Sequence, residues 1–358
     1  MRRPTVILGM SGGVDSSVAA AILVEQGYQV HGITLQVWEH EDDSIAASKR
    51  WQERGCCKIG IARYVASRLG ISHEVIDARD QFRAGVIDDF LTGYQAGTTP
   101  NPCVRCNERV KLHLLYRLAQ ERGADFVATG HYAQIKRDGG RPALCRATDG
   151  RKDQTYFLYR IKPTWLEHLL FPVGAMHKSE VWSRAESLGL PADELKESQE
   201  ICFVSQGDYR TFLEHEAPQS KKPGSFTDPE GNILGQHEGV AYYTPGQRRG
   251  LGIATGQRLY VQRVIPQTDT VVLTPEEGLF QSECVVTDLN VFDESILTAP
   301  VESHVKVRYA TPASPALLTS HRDGTLLVRF RVPQRALSPG QSAVFYDGDC
   351  VLGGGIIQ

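Results

Sequence analysis

Three stretches of this chain combine residue types and spacing that can do chemistry. The first is Ser11-Gly12-Gly13-Val14-Asp15-Ser16-Ser17, between an apolar run and a helical stretch. Paired glycines let a backbone close on an anion with no Cβ in the way. The helix that follows offers unpaired N–H groups and a positive dipole end, and Ser11, Ser16 and Ser17 add hydroxyl donors. Asp15 can place Mg²⁺ or orient the loop. The stretch lacks a Gly-Lys-Ser/Thr ending, so it is not the γ-phosphate loop of kinases and GTPases, and it lacks the Gly-x-Gly-x-x-Gly dinucleotide fingerprint. The second stretch is Asn101-Pro102-Cys103-Val104-Arg105-Cys106-Asn107, with Arg109 and Lys111 just beyond. Thiols at a helix start among cations are biased toward thiolate. The third is Glu197-Ser198-Gln199-Glu200-Ile201-Cys202-Phe203-Val204, a lone cysteine where polar sequence turns apolar. A structural zinc site would need a second ligand pair of similar spacing, and no second Cys-x-x-Cys exists.

These residues need a scaffold. Thr5–Met10 reads as a buried strand, Val14–Gln26 as a helix closed by Gly27, and Tyr28–Leu35 as a second strand. Lys58–Leu69 reads as a helix stopped by Gly70, His73–Ile76 as a strand, Arg109–Arg122 as a helix and Phe126–Thr129 as a strand. Such alternation predicts an α/β fold with a parallel sheet. Residues 156–215 are mostly helical in pattern, and turn signals follow. Short alternating runs (259–264, 271–273, 305–309, 326–330, 343–346 and 351–357) predict an all-β end, a small barrel. The expected organisation is a catalytic domain over 1–215, a small central domain over 216–275 and a C-terminal β-barrel over 276–358.

Composition sets outer limits. The 358 residues are 41% hydrophobic and 23% charged, enough for packed cores in two or three domains. No apolar run approaches the roughly 20 residues of a membrane span, and Met1-Arg2-Arg3-Pro4 begins no signal-peptide pattern, so a cytoplasmic protein is expected. A net charge of −3 argues against DNA coating but leaves room for an RNA partner met by local basic patches. Eight cysteines in such a chain suggest reactive thiols and inert core residues rather than a disulfide framework.

The Ser-Gly-Gly-Val-Asp-Ser loop resembles that of the ATP-pyrophosphatase superfamily, which implies cleavage of ATP between α and β phosphates and transfer of AMP to a carbonyl-type oxygen. Over nearly the whole chain the sequence resembles the tRNA-specific 2-thiouridylase family. The resemblance runs through Gly9–Ser17, Thr99-Pro100-Asn101-Pro102, Cys106-Asn107, Ala128-Thr129-Gly130-His131-Tyr132, Lys152-Asp153-Gln154-Thr155-Tyr156-Phe157-Leu158, Glu197–Phe203, Gly235-Gln236-His237, Tyr243-Thr244-Pro245-Gly246-Gln247-Arg248 and Arg308-Tyr309. It implies an adenine-nucleotide-hydrolase-like catalytic domain. ATP would be held by Gly9, Met10, Ser11, Gly12, Gly13, Val14, Asp15 and Ser16, with Leu35 and Gly130 lining the adenosine pocket. Asn101, Pro102 and Cys103 would meet the target base, and Lys152, Asp153, Gln154, Arg308 and Tyr309 would contact tRNA. Cys202 would carry sulfur as a persulfide and Cys106 would be the thiol at the reacting carbon. Both routes considered, direct persulfide attack and release of hydrosulfide by Cys106, end in a Cys106–Cys202 disulfide. The implied partners are a sulfur-donor protein and the tRNAs for Lys, Glu and Gln.

At Cys103 the chain departs from the family, some of whose members carry Asp there as a proposed acid/base. Three thiols then also resemble the ligand set of iron–sulfur tRNA thiolases, with Cys103, Cys106 and Cys202 around a 4Fe–4S cluster. Other readings are another pyrophosphate-loop adenylating enzyme, such as an amidotransferase-type synthetase, or a non-catalytic nucleotide- or RNA-binding module. His131 stands equally as a nucleotide contact or a structural histidine. Arg248, Arg249, Arg258 and Arg263, interleaved with Tyr242, Tyr243 and Tyr260, are expected to meet phosphate and stack on bases. Lys306, Arg308, Arg329 and Arg331 are expected on a basic barrel face. Cys56 and Cys57 are expected as packing residues, and Cys145, Cys284 and Cys350 as core.

Overall fold

A computed structural model describes residues 2–38, 58–137, 140–190, 201–204, 209–253 and 256–358, so Cys56 and Cys57 lie outside the described residues. The chain forms two compact units: Met1–Val86 with Cys103–Gly207 and Asp349–Val351, and Ile87–Pro102 with Asp208–Gly348 and Leu352–Gln358.

The first unit is built on strands β1 (Thr5–Gly9), β2 (Gln29–Gln36), β3 (Ser72–Asp77), β4 (Phe126–Thr129), β5 (Ala133–Lys136), β6 (Ala143–Arg146) and β7 (Leu169–Leu170). Five form a parallel sheet in the order β3-β2-β1-β4-β7, while β5 and β6 pair antiparallel. The apolar run of β1 is wholly enclosed at Val6, Ile7 and Leu8, as a central strand covered on both faces requires. Helix α1 (Val14–Glu25) packs Val18, Ala19 and Leu23 into the same core as Val65 of α2 (Ile59–Leu69). Each of the buried valine and leucine side chains contributes about 1.5–3 kcal/mol. Gly70, in the left-handed region at φ 64°, ends α2 where the sequence predicts.

Helical structure also occurs where the periodicity gave no signal. Helix α3 (Arg79–Phe82) runs through a π turn (Arg83–Ile87) into α4 (Asp88–Gln95). The helix expected over 109–122 begins earlier and in three pieces: α5 (Pro102–Arg105), a π turn (Cys106–Lys111) and α6 (Leu112–Arg122). The unit is completed by α7 (Thr155–Leu158) and α8 (Lys178–Ser187), the latter packed on α1. Cys145 and Cys350 are not the separate core thiols expected. Their antiparallel register brings the Cα atoms to 4.0 Å, and the two are joined in a disulfide. Cys284, expected in the core, is partly buried against the barrel core, and burial pushes its thiol up to about 12.

The second unit contains α4, α9 (Tyr209–Glu216) and a sheet of β8 (Gly224–Thr227), β9 (Ile233–His237), β10 (Tyr260–Ile265) and β11 (Thr270–Thr274), in the order β10-β11-β8-β9. Strands β12 (Phe280–Val291), β13 (Val301–Lys306), β14 (Ser314–Ser320), β15 (Leu326–Arg335), β16 (Ser342–Asp347) and β17 (Cys350–Ile357) follow in the order β12-β15-β14-β13-β16-β17. Pairing of β12 with β17 closes this sheet into a six-stranded barrel, which removes its edges. Val286, Leu318, Val328 and Phe345 fill the barrel.

Two expectations about basic surfaces need correction here. Tyr242, Tyr243 and Tyr260 are buried at 2%, 7% and 8% exposure, so their rings pack the protein interior and present no stacking platform. Arg308 lies beyond the end of β13, not within a strand, and Arg329 and Arg331 pair with Glu283 and Glu302 on the surface. Among the described residues no helix is long and apolar enough to cross a membrane.

Candidate active site

Strand order decides where the first unit can bind a ligand. From β1 the chain moves outward through β2 to β3, then returns to place β4 on the other side of β1. Open parallel sheets bind at the carboxyl ends of the strands flanking such a switch point. Met10–Ser17 leaves the carboxyl end of β1, Leu35 lies at the end of β2, and Gly130 follows β4. The three expected nucleotide segments thus converge on one edge of the sheet.

The loop there is shaped by its own donors. Ser16 Oγ and Ser17 Oγ both donate to Gly13 O, at 3.0 and 2.9 Å, and Gly13 N–H donates to Ser11 Oγ at 3.3 Å. Thr34 of β2 ties the start of the loop by donating to Met10 O at 2.6 Å. Gly12 has φ 76°, and a Cβ there would sit 2.1 Å from Lys58 O. At Gly130 a Cβ would meet Ser16 N at 2.6 Å and Asp15 C at 2.7 Å. The backbone after β4 therefore lies directly against the first turn of α1.

Asp15 has partners the sequence does not announce. Lys178 Nζ lies 2.7 Å from Asp15 Oδ1, and Tyr132 O–H donates to the same oxygen at 2.8 Å. The Lys178 ammonium also stands over the rings of Tyr132 (5.5 Å) and Trp182 (5.3 Å), a favourable setting for a cation taken out of water. Lys178 is only 8% exposed. Its backbone N–H, in the first turn of α8, donates to Asp149 Oδ2 at 3.2 Å. That bond, with a second from the Arg151 N–H, holds the Asp149 carboxyl below its ordinary range. His177-Lys178-Ser179-Glu180 is legible as a capped helix start, and Glu180 does accept from the His177 N–H at 2.6 Å. Nothing local marks a partner 163 residues earlier in the chain.

The thiols are placed by a second set of contacts. Cys103 is exposed, Cys106 is buried in its π turn, and Cys202 is half-buried. Phe203, beside Cys202, packs edge-on against Phe82 of α3 (5.7 Å) and against Trp38 just after β2 (6.2 Å). The same α3 packs on the π turn that carries Cys106. One short helix therefore serves both thiol-bearing segments. Asn107, next to Cys106, donates to Phe157 O of α7 at 3.2 Å. Gln154, just before α7, accepts from the Tyr132 N–H at 2.9 Å and donates its own N–H to Tyr132 O at 2.8 Å. Tyr132 thus links Asp15 of the anion loop to the Cys106 turn. Glu108 braces that turn by pairing with Arg160 (2.7 Å) and Arg105 (2.9 Å).

Other expected residues divide by environment. The Asp153 carboxylate is buried and accepts from Thr155 Oγ1 (2.7 Å) and the Ala147 N–H (3.2 Å), so it organises its own turn, while Lys152 is partly exposed. His131 keeps a partly exposed edge, yet burial and then Lys111 push it down to about 3, so its ring is neutral. Thr129 Oγ1 lies 2.7 Å from its Nδ1. Asn101, Pro102, Arg308 and Tyr309 belong to the second unit. Among the described residues no group of three His, Cys, Asp or Glu side chains is arranged to hold a metal ion.

An α/β unit with an anion loop at the switch point of a parallel sheet, and a second unit of a four-stranded sheet and a β-barrel, defines a nucleotide-handling protein of the HUP class. The family models agree: a tRNA methyl transferase HUP domain matches residues 4–206, a tRNA methyl transferase PRC-barrel domain 210–275, and an aminomethyltransferase β-barrel domain 281–357. The tRNA-specific 2-thiouridylase MnmA of Clostridium perfringens is 44% identical over 363 residues, covering 100% of this chain and 99% of that protein. That of Acetivibrio thermocellus is 45% identical over 363 residues, covering 100% of each. The chain belongs to the tRNA-specific 2-thiouridylase family. Among solved structures, NMN synthetase from Francisella tularensis overlaps with a TM-score of 0.35 and 18% identity over 58% of this chain and 71% of that one, too little to carry an argument.

Proposed function

We propose that this protein is a cytoplasmic, ATP-dependent tRNA-uridine 2-sulfurtransferase that adenylates the C2 oxygen of a wobble uridine and replaces it with sulfur from Cys202. The observation that carries the reading is the chain of contacts from Asp15 through Tyr132, Gln154 and Phe157 to Asn107, which ties the anion loop to the Cys106 turn. Adenylation without thiol chemistry, as in an amidotransferase-type synthetase, would leave that tie without a purpose.

A uridine C2 oxygen is a poor leaving group, and transfer of AMP onto it with release of pyrophosphate makes it a good one. The Met10–Ser17 loop binds the triphosphate, and Lys178 supplies fixed positive charge behind Asp15 as pyrophosphate departs. Mg²⁺ would accompany the triphosphate, which would bring most of its ligands; Asp15, the loop's carboxylate, would be the residue to hold it. The outer sulfur of the Cys202 persulfide attacks C2 and AMP leaves. The Cys106 thiolate then attacks the inner sulfur of Cys202, the sulfur–sulfur bond breaks, and its electron pair stays with the sulfur on C2 as 2-thiouridine. A Cys106–Cys202 disulfide remains, and an external thiol reductant resets it.

Asn101, Pro102 and Cys103 meet the target base, and Lys152 and the Arg308-Tyr309 turn face tRNA. A sulfur-donor protein loads Cys202, and tRNAs for Lys, Glu and Gln are the expected acceptors. The test is pyrophosphate release by the full-length protein with ATP, tRNA and a persulfide donor, alongside 2-thiouridine analysis of the tRNA. Tandem release and thiolation are expected, and release that tRNA does not stimulate would reject the reading.

A further inference from the structure

The proposed reaction ends in a disulfide that is hard to reach. Cys106 is 6% exposed in its π turn, and Cys202 is half-buried beside Phe203, whose ring packs on Phe82 and Trp38. Thiol–disulfide exchange needs direct access of the attacking thiolate to a disulfide sulfur. A protein reductant carries its thiol on a bulky surface, so a buried sulfur pair resists it where an exposed one does not.

An exposed thiol stands three residues from Cys106. Cys103 lies in α5 and Cys106 opens the π turn that follows, so the pair straddles the junction of two helical registers. Residues three apart on a helix hold their Cβ atoms about 5–6 Å apart, and a disulfide brings them to about 3.5–4.5 Å. The closure needed is about 1–2 Å, at a place where the helix already changes register. The Cys106 side of the junction is the anchored one. Asn107 donates to Phe157 O at 3.2 Å, and Glu108 pairs with Arg160 at 2.7 Å. Cys103, on the solvent side, is the member that moves. All three thiols belong to the first unit.

We propose that Cys103 is a third catalytic thiol, which resets the enzyme by carrying oxidation from the buried Cys106–Cys202 pair to the surface. This rests on the sulfurtransferase reading above. The Cys103 thiolate attacks Cys106 Sγ, the Cys106–Cys202 bond breaks, and its electron pair leaves on Cys202 as a thiolate, ready for the next sulfur. The new Cys103–Cys106 disulfide has one exposed sulfur. One thiolate of an external dithiol attacks Cys103 Sγ and frees Cys106. The second thiol of that reductant then attacks the mixed disulfide and frees Cys103. Two electrons and two protons pass to the enzyme, and the dithiol departs as its own disulfide. A carboxylate or hydroxyl at position 103 offers no such route.

The test times the reset itself. Full-length protein oxidised by one round with ATP, tRNA and a persulfide donor is treated either with thioredoxin, a bulky protein dithiol, or with dithiothreitol, small enough to enter a cleft. Return of the Cys202 thiol is followed by alkylation and mass. In Cys103→Ser and Cys103→Asp the ratio of the thioredoxin rate to the dithiothreitol rate should fall at least about tenfold below wild type. A wild-type ratio in either variant overturns the proposal. A second measurement needs no variant. Wild-type protein quenched in acid under limiting thioredoxin should yield a Cys103–Cys106 disulfide between two tryptic peptides, because trypsin cuts after Arg105. Finding only the Cys106–Cys202 linkage there also overturns it. Failure of the sulfurtransferase reading would appear separately, as wild-type protein that thiolates no tRNA with either reductant.

Discussion

Lys178 Nζ and Asp15 Oδ1, 163 residues apart in sequence, form a 2.7 Å ion pair at the first turn of α1, with the Tyr132 hydroxyl on the same oxygen. A mostly buried ammonium beside an anion loop is a fixed charge that needs no reorganisation when substrate arrives. Replacing it with the uncharged Lys178→Met should reduce tRNA-stimulated pyrophosphate release by at least tenfold, equivalent to about 1.4 kcal/mol of lost stabilisation. Lys178→Arg should retain a larger share. Unchanged release in the Met variant would remove Lys178 from the nucleotide half of the reaction.

The two thiols should fail differently. Cys202→Ser should abolish thiolation while tRNA-stimulated pyrophosphate release persists, because adenylation does not need the sulfur carrier. Cys106→Ser should leave Cys202 able to accept sulfur from a persulfide donor, visible as the mass of one added sulfur atom on the Cys202 peptide. Full thiolation by the Cys202 variant would end the relay.

Gly130→Ala tests the close approach of β4 to α1. Its Cβ would lie 2.6 Å from Ser16 N, a distance real Cβ atoms do not tolerate, so the first turn of α1 must shift. The KM for ATP should rise at least tenfold while far-ultraviolet dichroism is retained. A wild-type KM would show that the Gly130 segment does not shape the nucleotide pocket.

His131 gives a prediction about pH. Its folded-state pKa of about 3 lies below the unfolded value near 6.5, so the unfolded chain takes up this proton first as pH falls. The stability held by the neutral ring is complete above about 6.5 and is lost progressively toward 3. Denaturation measured from pH 7 to 4 should show a weaker acid slope in His131→Gln, by one proton at most. An identical slope in both proteins would place the titration elsewhere.

What could be read beforehand was local. The β1–loop–α1 unit is legible because a short apolar run, two glycines and a helical pattern follow each other with no tertiary help. The helix around Cys106 is harder, since a π turn interrupts the 3.6-residue register that periodicity relies on, and the helix already starts at Pro102. Tyr242, Tyr243 and Tyr260 look like a stacking platform beside arginines, because sequence does not say which way a ring turns at a loop. Arg308 looks like another alternating strand residue, and its acceptors come from Pro245, Ala336 and Ser338. The Cys145–Cys350 bridge spans 205 residues, so only the folded register reveals it.

Tyr132 gives α7 its anchor through its main chain and Asp15 its partner through its hydroxyl. In the proposed reaction, the nucleotide half and the sulfur half would then share this mechanical joint. Natural variants that retune one half-reaction at this joint would have to answer for the other, and changes near residue 15 should be accompanied by changes near residues 107 and 154.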